Sequence, residues 1–114
     1  MCSGEQVLAI AKQQIGIDYF YGGESPSKGF DCPGLVVYCY QQACGKHLPH
    51  STSYLLNYGS AVSQANLRAG DLVFPSAGQV GIAIDSNQMV VAPHIGERVK
   101  IQSIYGFYAG RRII

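Results

Sequence analysis

Cys32 lies in the stretch FDCPGLVVYCY, residues 30–40, at the point where a helix is expected to begin. The thiolate is the reactive form of cysteine, and a helix N-terminus favours it by aiming unpaired N–H groups and the positive dipole end at sulfur. Of Cys2, Cys32, Cys39 and Cys44, Cys32 is therefore the candidate nucleophile. The plainer reading is a buried cysteine that caps a core helix. Cleaving an amide also requires a proton for the departing amine, and positioned acid–base help is worth about 10²–10⁴-fold. The chain offers His47, His50 and His94. His94 follows Ala-Pro on a loop expected to border the site of Cys32, which makes it the candidate for a base; its plainer reading is a surface histidine in the PHIGE turn. His50 precedes a short helix. His47 falls in a connecting loop.

The elements that must position these residues are legible in part. Ser3 with Gln6 three residues on fits a capping box, and the apolar run after it stops at Gly16, predicting a first helix. The segment 18–29, DYFYGGESPSKG, reads as a loop. Asp31 or Cys32 caps the second helix, Pro33 fits its first turn, and Leu35, Val36, Cys39, Tyr40 and Ala43 form a stripe ending before Gly45. A third helix is expected from Ser51 or Thr52 to near Gly59. Beyond residue 65, β-type runs at 71–74, 79–84, 89–92, 98–101 and 108–113 are separated by turn residues, with DSNQ at 85–88 as a hairpin turn. Helices followed by strands predict one α+β domain over 1–114, its second helix packed on an antiparallel meander or partial barrel. Cys32, Cys39 and Cys44 fall along one helix, and no CxxC pair is present, so neither a disulfide framework nor a zinc site is expected and the cysteines are read as reduced.

Several stretches together resemble the NlpC family of papain-like cell-wall cysteine peptidases. They are YFYGG (19–23), GFDCPGLV (29–36), LPHSTS (48–53), LRAGDLVF (67–74), VGIAI (80–84), MVVAP (89–93) and RRI (111–113), in family order over nearly the whole chain. The resemblance implies cleavage of peptidoglycan stem peptides after D-glutamate, with Cys32 as nucleophile. It places Tyr19 on the cleft near the oxyanion, Tyr21 where Trp is common, and Asp31 on the substrate side. Pro33 replaces a usual Ser, and His50 stands near a position often held by Arg, which implies substrate binding or capping for His50 beside Ser51 rather than catalysis. The family's general base precedes the VGI strand, where this chain has Gln79. The residue that orients the base falls at Val91, a hydrocarbon. Gln79 has no titratable proton to give, although it can still hydrogen-bond a carbonyl or the sulfur.

The remaining composition excludes more than it selects. A formal net charge of +1 gives no electrostatic footprint for nucleic acid. The longest apolar stretch is far too short to span a bilayer. MCSGEQ lacks a basic segment followed by an apolar one, so no secretory leader is expected in it, and export remains open. No nucleotide loop or metal-ligand spacing is present, and no cofactor is expected. Tyr38, Tyr40, Phe74 and Phe107 are assigned to packing; the resemblance implies that Asp71 is structural, closing the turn into its strand; and Arg111 and Arg112 are read either as carboxylate binders or as a solvated or salt-bridged surface. The expectation is a stem-peptide binder with impaired hydrolysis. Two alternatives stay open: an active peptidase using His94, or Gln79 with water, and a domain that binds a partner without catalysis. Oligomeric state is not indicated.

Overall fold

Ser3 and Gln6 close a reciprocal cap, with the Gln6 N–H donating to Ser3 Oγ at 3.3 Å and the Ser3 N–H to Gln6 Oε1 at 2.9 Å. Helix α1 (Gly4–Gln13) follows in the computed structural model, which describes residues 2–114. Its Val7, Leu8 and Ala11 are buried, and α1 packs on α2 (Cys32–Cys44). Asp31 caps α2 by accepting from the Gly34 N–H at 2.8 Å, and Gly45 ends it at φ +64°, a left-handed conformation that costs glycine little. Leu35, Val36, Cys39 and Tyr40 have no exposed surface, each large apolar side chain contributing roughly 1.5–3 kcal/mol through burial. The apolar period of α2 therefore predicts its buried face correctly.

An open six-stranded antiparallel sheet lies against this helix, in the order β3-β8-β4-β5-β6-β7. Its strands are β3 (Ser60–Ala61), β4 (Leu72–Ser76), β5 (Gln79–Ala83), β6 (Gln88–Val91), β7 (Lys100–Ser103) and β8 (Ala109–Arg112). Strand alternation divides the side chains. Leu72, Phe74, Val80, Ile82 and Val90 join the core around α2, whereas Val73, Ala83, Met89 and Val91 join a smaller cluster with Leu67 on the other face. The sheet is not closed into a barrel: β3 and β7 are its two edges.

The structure corrects the sequence reading at four places. The strands do not end as a plain meander, because β8 crosses back to pair with β4, with Val73 opposite Gly110. Segment 18–29 is not all loop: β1 (Glu24–Ser25) pairs with β2 (Gly29–Phe30), ladders too short to register in composition. Helix α3 is Thr52–Leu55, one turn only, capped by Ser51. Most consequentially, Cys2 and Cys44 form a disulfide with Cα atoms 5.0 Å apart, leaving Cys32 and Cys39 free. Spacing along α2 alone hid this pairing, because the packing of α1 on α2 brings the start of one helix beside the end of the other.

Other assignments are met by particular contacts. Tyr40 and Phe74 are fully buried, and Tyr38 lies against Phe30 with ring centroids 5.3 Å apart. Phe107 packs against the smaller cluster. Asp71 accepts from the Arg68 N–H at 2.8 Å and holds Arg112 through two bonds of 3.0 and 2.8 Å, so its role is structural.

Candidate functional site

The N-terminus of α2 is placed by two glycines. A Cβ on Gly34 would collide with the Gly23 carbonyl oxygen, so only a bare Cα lets the helix start lie against the β1 loop. The Asp31 N–H donates to that same carbonyl at 3.1 Å, and the Gly22 N–H donates to Asp31 Oδ2 at 2.9 Å. Asp31 is thus buried and pinned from both sides. Cys32, the first residue of α2, is 7% exposed.

The two-residue turn between β4 and β5 closes over the sulfur, with Ser76 paired to Gln79 across Ala77 and Gly78. Cys32 Sγ donates to the Gly78 carbonyl at 3.9 Å. Burial pushes the Cys32 thiol up from its ordinary value. Against that act the Val80 N–H, the Thr52 hydroxyl and the residue's own N–H, all of which favour the thiolate, while the Asp31 charge opposes it. The balance is upward, so the resting group is a thiol. Tyr19 also stands near this sulfur: burial raises its phenol, followed by the charges of Cys32 and Asp31.

Gln79 is flanked in sequence by the two residues whose backbone meets the sulfur, yet its amide is committed elsewhere. Its Nε2 donates to the Pro93 carbonyl at 2.8 Å, and its Oε1 accepts from the Tyr105 hydroxyl. Pro93 offers only an acceptor there, which fixes the amide orientation. Val91 is fully buried in the smaller cluster with Leu67, Val73, Ala83 and Met89, on the sheet face away from α2.

No imidazole is hydrogen-bonded to Cys32 among the described residues. His94 is exposed and its Nδ1 meets the Ile95 carbonyl at 3.0 Å. His50 contacts Asp31 Oδ1 and Oδ2 through Nε2, at 2.8 and 3.0 Å, and Glu24 Oε2 through Nδ1, at 3.1 Å. Partial burial pulls its pKa down, but the bonds and charges of the two carboxylates outweigh that and hold it above the ordinary imidazole value. Ser51 accepts from the Tyr54 N–H as the cap of α3, which sets Thr52 against Cys32. Pro33 sits half-buried in the first turn of α2, and Tyr21 is 81% exposed with its ring in solvent.

The structure therefore gathers Cys32, Asp31, Tyr19, Gln79 and the 50–52 segment at one end of α2, while Val91 packs in the smaller cluster and His94 meets Ile95. Sequence reasoning missed Thr52, Tyr105 and Glu24. Thr52 lies inside the flagged LPHSTS stretch, where only its neighbours drew notice; Tyr105, in SIYGFY, carried no signal at all. No group of His, Cys, Asp and Glu suited to a metal ion occurs among the described residues.

Residues 16–114 match the NlpC/P60 family. The chain is 36% identical over 108 residues to the probable endopeptidase YafL of Escherichia coli (strain K12), covering 88% of this chain and 43% of that protein. It is 44% identical over 68 residues to the gamma-DL-glutamyl hydrolase of Bacillus subtilis (strain 168), covering 60% of this chain and 16% of that protein. The chain thus spans less than half the length of either relative. The crystal structure of the NlpC/p60 domain of the peptidoglycan hydrolase SagA superposes with a TM-score of 0.90 at 33% identity, over 96% of this chain and 98% of that one.

Proposed function

The chain belongs to the NlpC/P60 family, and on that premise we propose that its cleft binds peptidoglycan stem peptides or a related amide ligand, as a single domain over 1–114, with little or no turnover. The likeness to a peptidoglycan hydrolase domain supports the ligand class, and the gamma-DL-glutamyl hydrolase relative supports a D-glutamyl amide as the bond presented to Cys32.

The observation that carries the reading is the commitment of Gln79. A base beside the sulfur must take its proton and then pass one to the departing amine. Gln79 can do neither, because an amide has no proton to exchange near neutral pH and this one already serves Pro93 and Tyr105. An ordinary thiol is only a few per cent ionised near neutral pH, and burial reduces the Cys32 thiolate below that level. Binding groups survive this loss: Tyr19, Asp31, His50 and Ser51 still surround the helix start. The use of His94 as base draws no support from its contact with Ile95.

Incubation with purified muropeptides tests the reading. The expected result is saturable binding, seen by calorimetry, without new free amino termini. Release of many amino termini per protein molecule that disappears in Cys32→Ala would overturn it.

A further inference from the structure

His50 is held by two carboxylates at once, Nε2 on Asp31 at 2.8 Å and Nδ1 on Glu24 at 3.1 Å. A neutral imidazole has a single N–H and can donate to only one of them, while a carboxylate can only accept. Both contacts are satisfied together only by the imidazolium. Asp31 alone would fix the ring; the second carboxylate is what requires the charge. Glu24 reaches it from β1, with a side chain 51% exposed. The charged and titratable groups facing His50 are thus Glu24 from β1 and Asp31 from the cap of α2, and the Asp31 charge acts in turn on Tyr19 and Cys32.

That charge has a target. Asp31 immediately precedes Cys32, and its negative charge disfavours the thiolate. An imidazolium bonded to both Asp31 oxygens offsets that charge at its source. We propose that Glu24 is a positioning residue that keeps His50 charged against Asp31 and thereby shields the Cys32 thiolate from the Asp31 carboxylate. This role concerns the ionisation of Cys32 and holds whether or not the cleft turns ligand over.

The test uses the intact, disulfide-bonded protein and needs no substrate, so its failure is separate from any failure of the binding reading. The rate of Cys32 alkylation by iodoacetamide is followed by mass spectrometry against pH, and the His50 ring is titrated by NMR. Glu24→Gln, nearly isosteric at an exposed position, should lower the His50 pKa by about one unit and slow alkylation near neutral pH about threefold. Glu24→Asp, which keeps the charge, should restore part of both. An unchanged His50 titration in Glu24→Gln overturns the proposal. So does a lowered His50 pKa with an unaltered alkylation profile, since His50 would then be charged by Glu24 without affecting the thiol.

Discussion

The Gln79 side chain donates to the Pro93 carbonyl at 2.8 Å, tying the first residue of β5 to the chain just beyond β6. With Tyr105 on its other end, the amide is a strut between β5, β6 and the segment after β7. Its backbone neighbours Gly78 and Val80 meet the Cys32 sulfur. A side chain with a titratable nitrogen at 79 would stand where proton exchange with that sulfur becomes available. Gln79→His is therefore expected to gain muropeptide cleavage at least about tenfold above the parent. Release of free amino termini measures it; a folded Gln79→His protein as inert as the parent would show that something besides the base is missing. Tyr105→Phe alone should gain nothing.

Val91 sets a cost on repairing the second position. It is fully buried among hydrocarbons, so an imidazole there loses its water without a partner. Val91→His is expected to lower stability by about 2 kcal/mol, read from urea unfolding. An unfolding midpoint equal to that of the parent would mean the pocket admits water or rearranges.

Thr52 supplies one of the few contacts that favour the Cys32 thiolate. Thr52→Val keeps the shape and deletes the hydroxyl. Its alkylation profile should shift to higher pH, because a hydrogen bond that favours the charged sulfur is lost. Identical profiles for the two proteins would remove Thr52 from the site.

The His50 clasp makes stability depend on pH in a defined direction. The folded-state pKa is raised, so the native protein holds that proton more tightly than the unfolded chain does. The contribution is fully present below the ordinary imidazole pKa of about 6.5 and is lost as pH rises through the higher folded-state value. Thermal unfolding across that interval should show a decline that His50→Gln abolishes. A decline of equal size in His50→Gln would assign it to another group.

The disulfide closes a long loop, with 42 residues of sequence separation between Cys2 and Cys44. Loop-closure entropy for that span corresponds to about 4 kcal/mol, an upper figure where strain or residual structure intervenes. Cys2→Ser should lower the melting temperature, and a reductant should do the same to the parent but not to the variant. Equal melting of the oxidised parent and Cys2→Ser would show that the bond contributes nothing to the fold.

Local chemistry was readable because it depends on near neighbours. Ser3 with Gln6, Asp31 before Pro33 and Gly45 after Cys44 bound the helices by groups a few residues apart, and the β-type runs located β4 to β8 to within a few residues. The resemblance carried by GFDCPGLV placed the nucleophile candidate, and the amide at 79 and hydrocarbon at 91 were visible as bare residue types. What the chain could not reveal along its length were relations between distant segments. The pairing of β8 with β4, the meeting of Cys2 with Cys44, the reach of Glu24 to His50 and of Tyr105 to Gln79 each join residues at least 26 apart. Composition and period report which face an element buries, but not which element lies opposite it. That was decided by packing α1 and the sheet around α2, which converts separate polar side chains into one site and sets their charges.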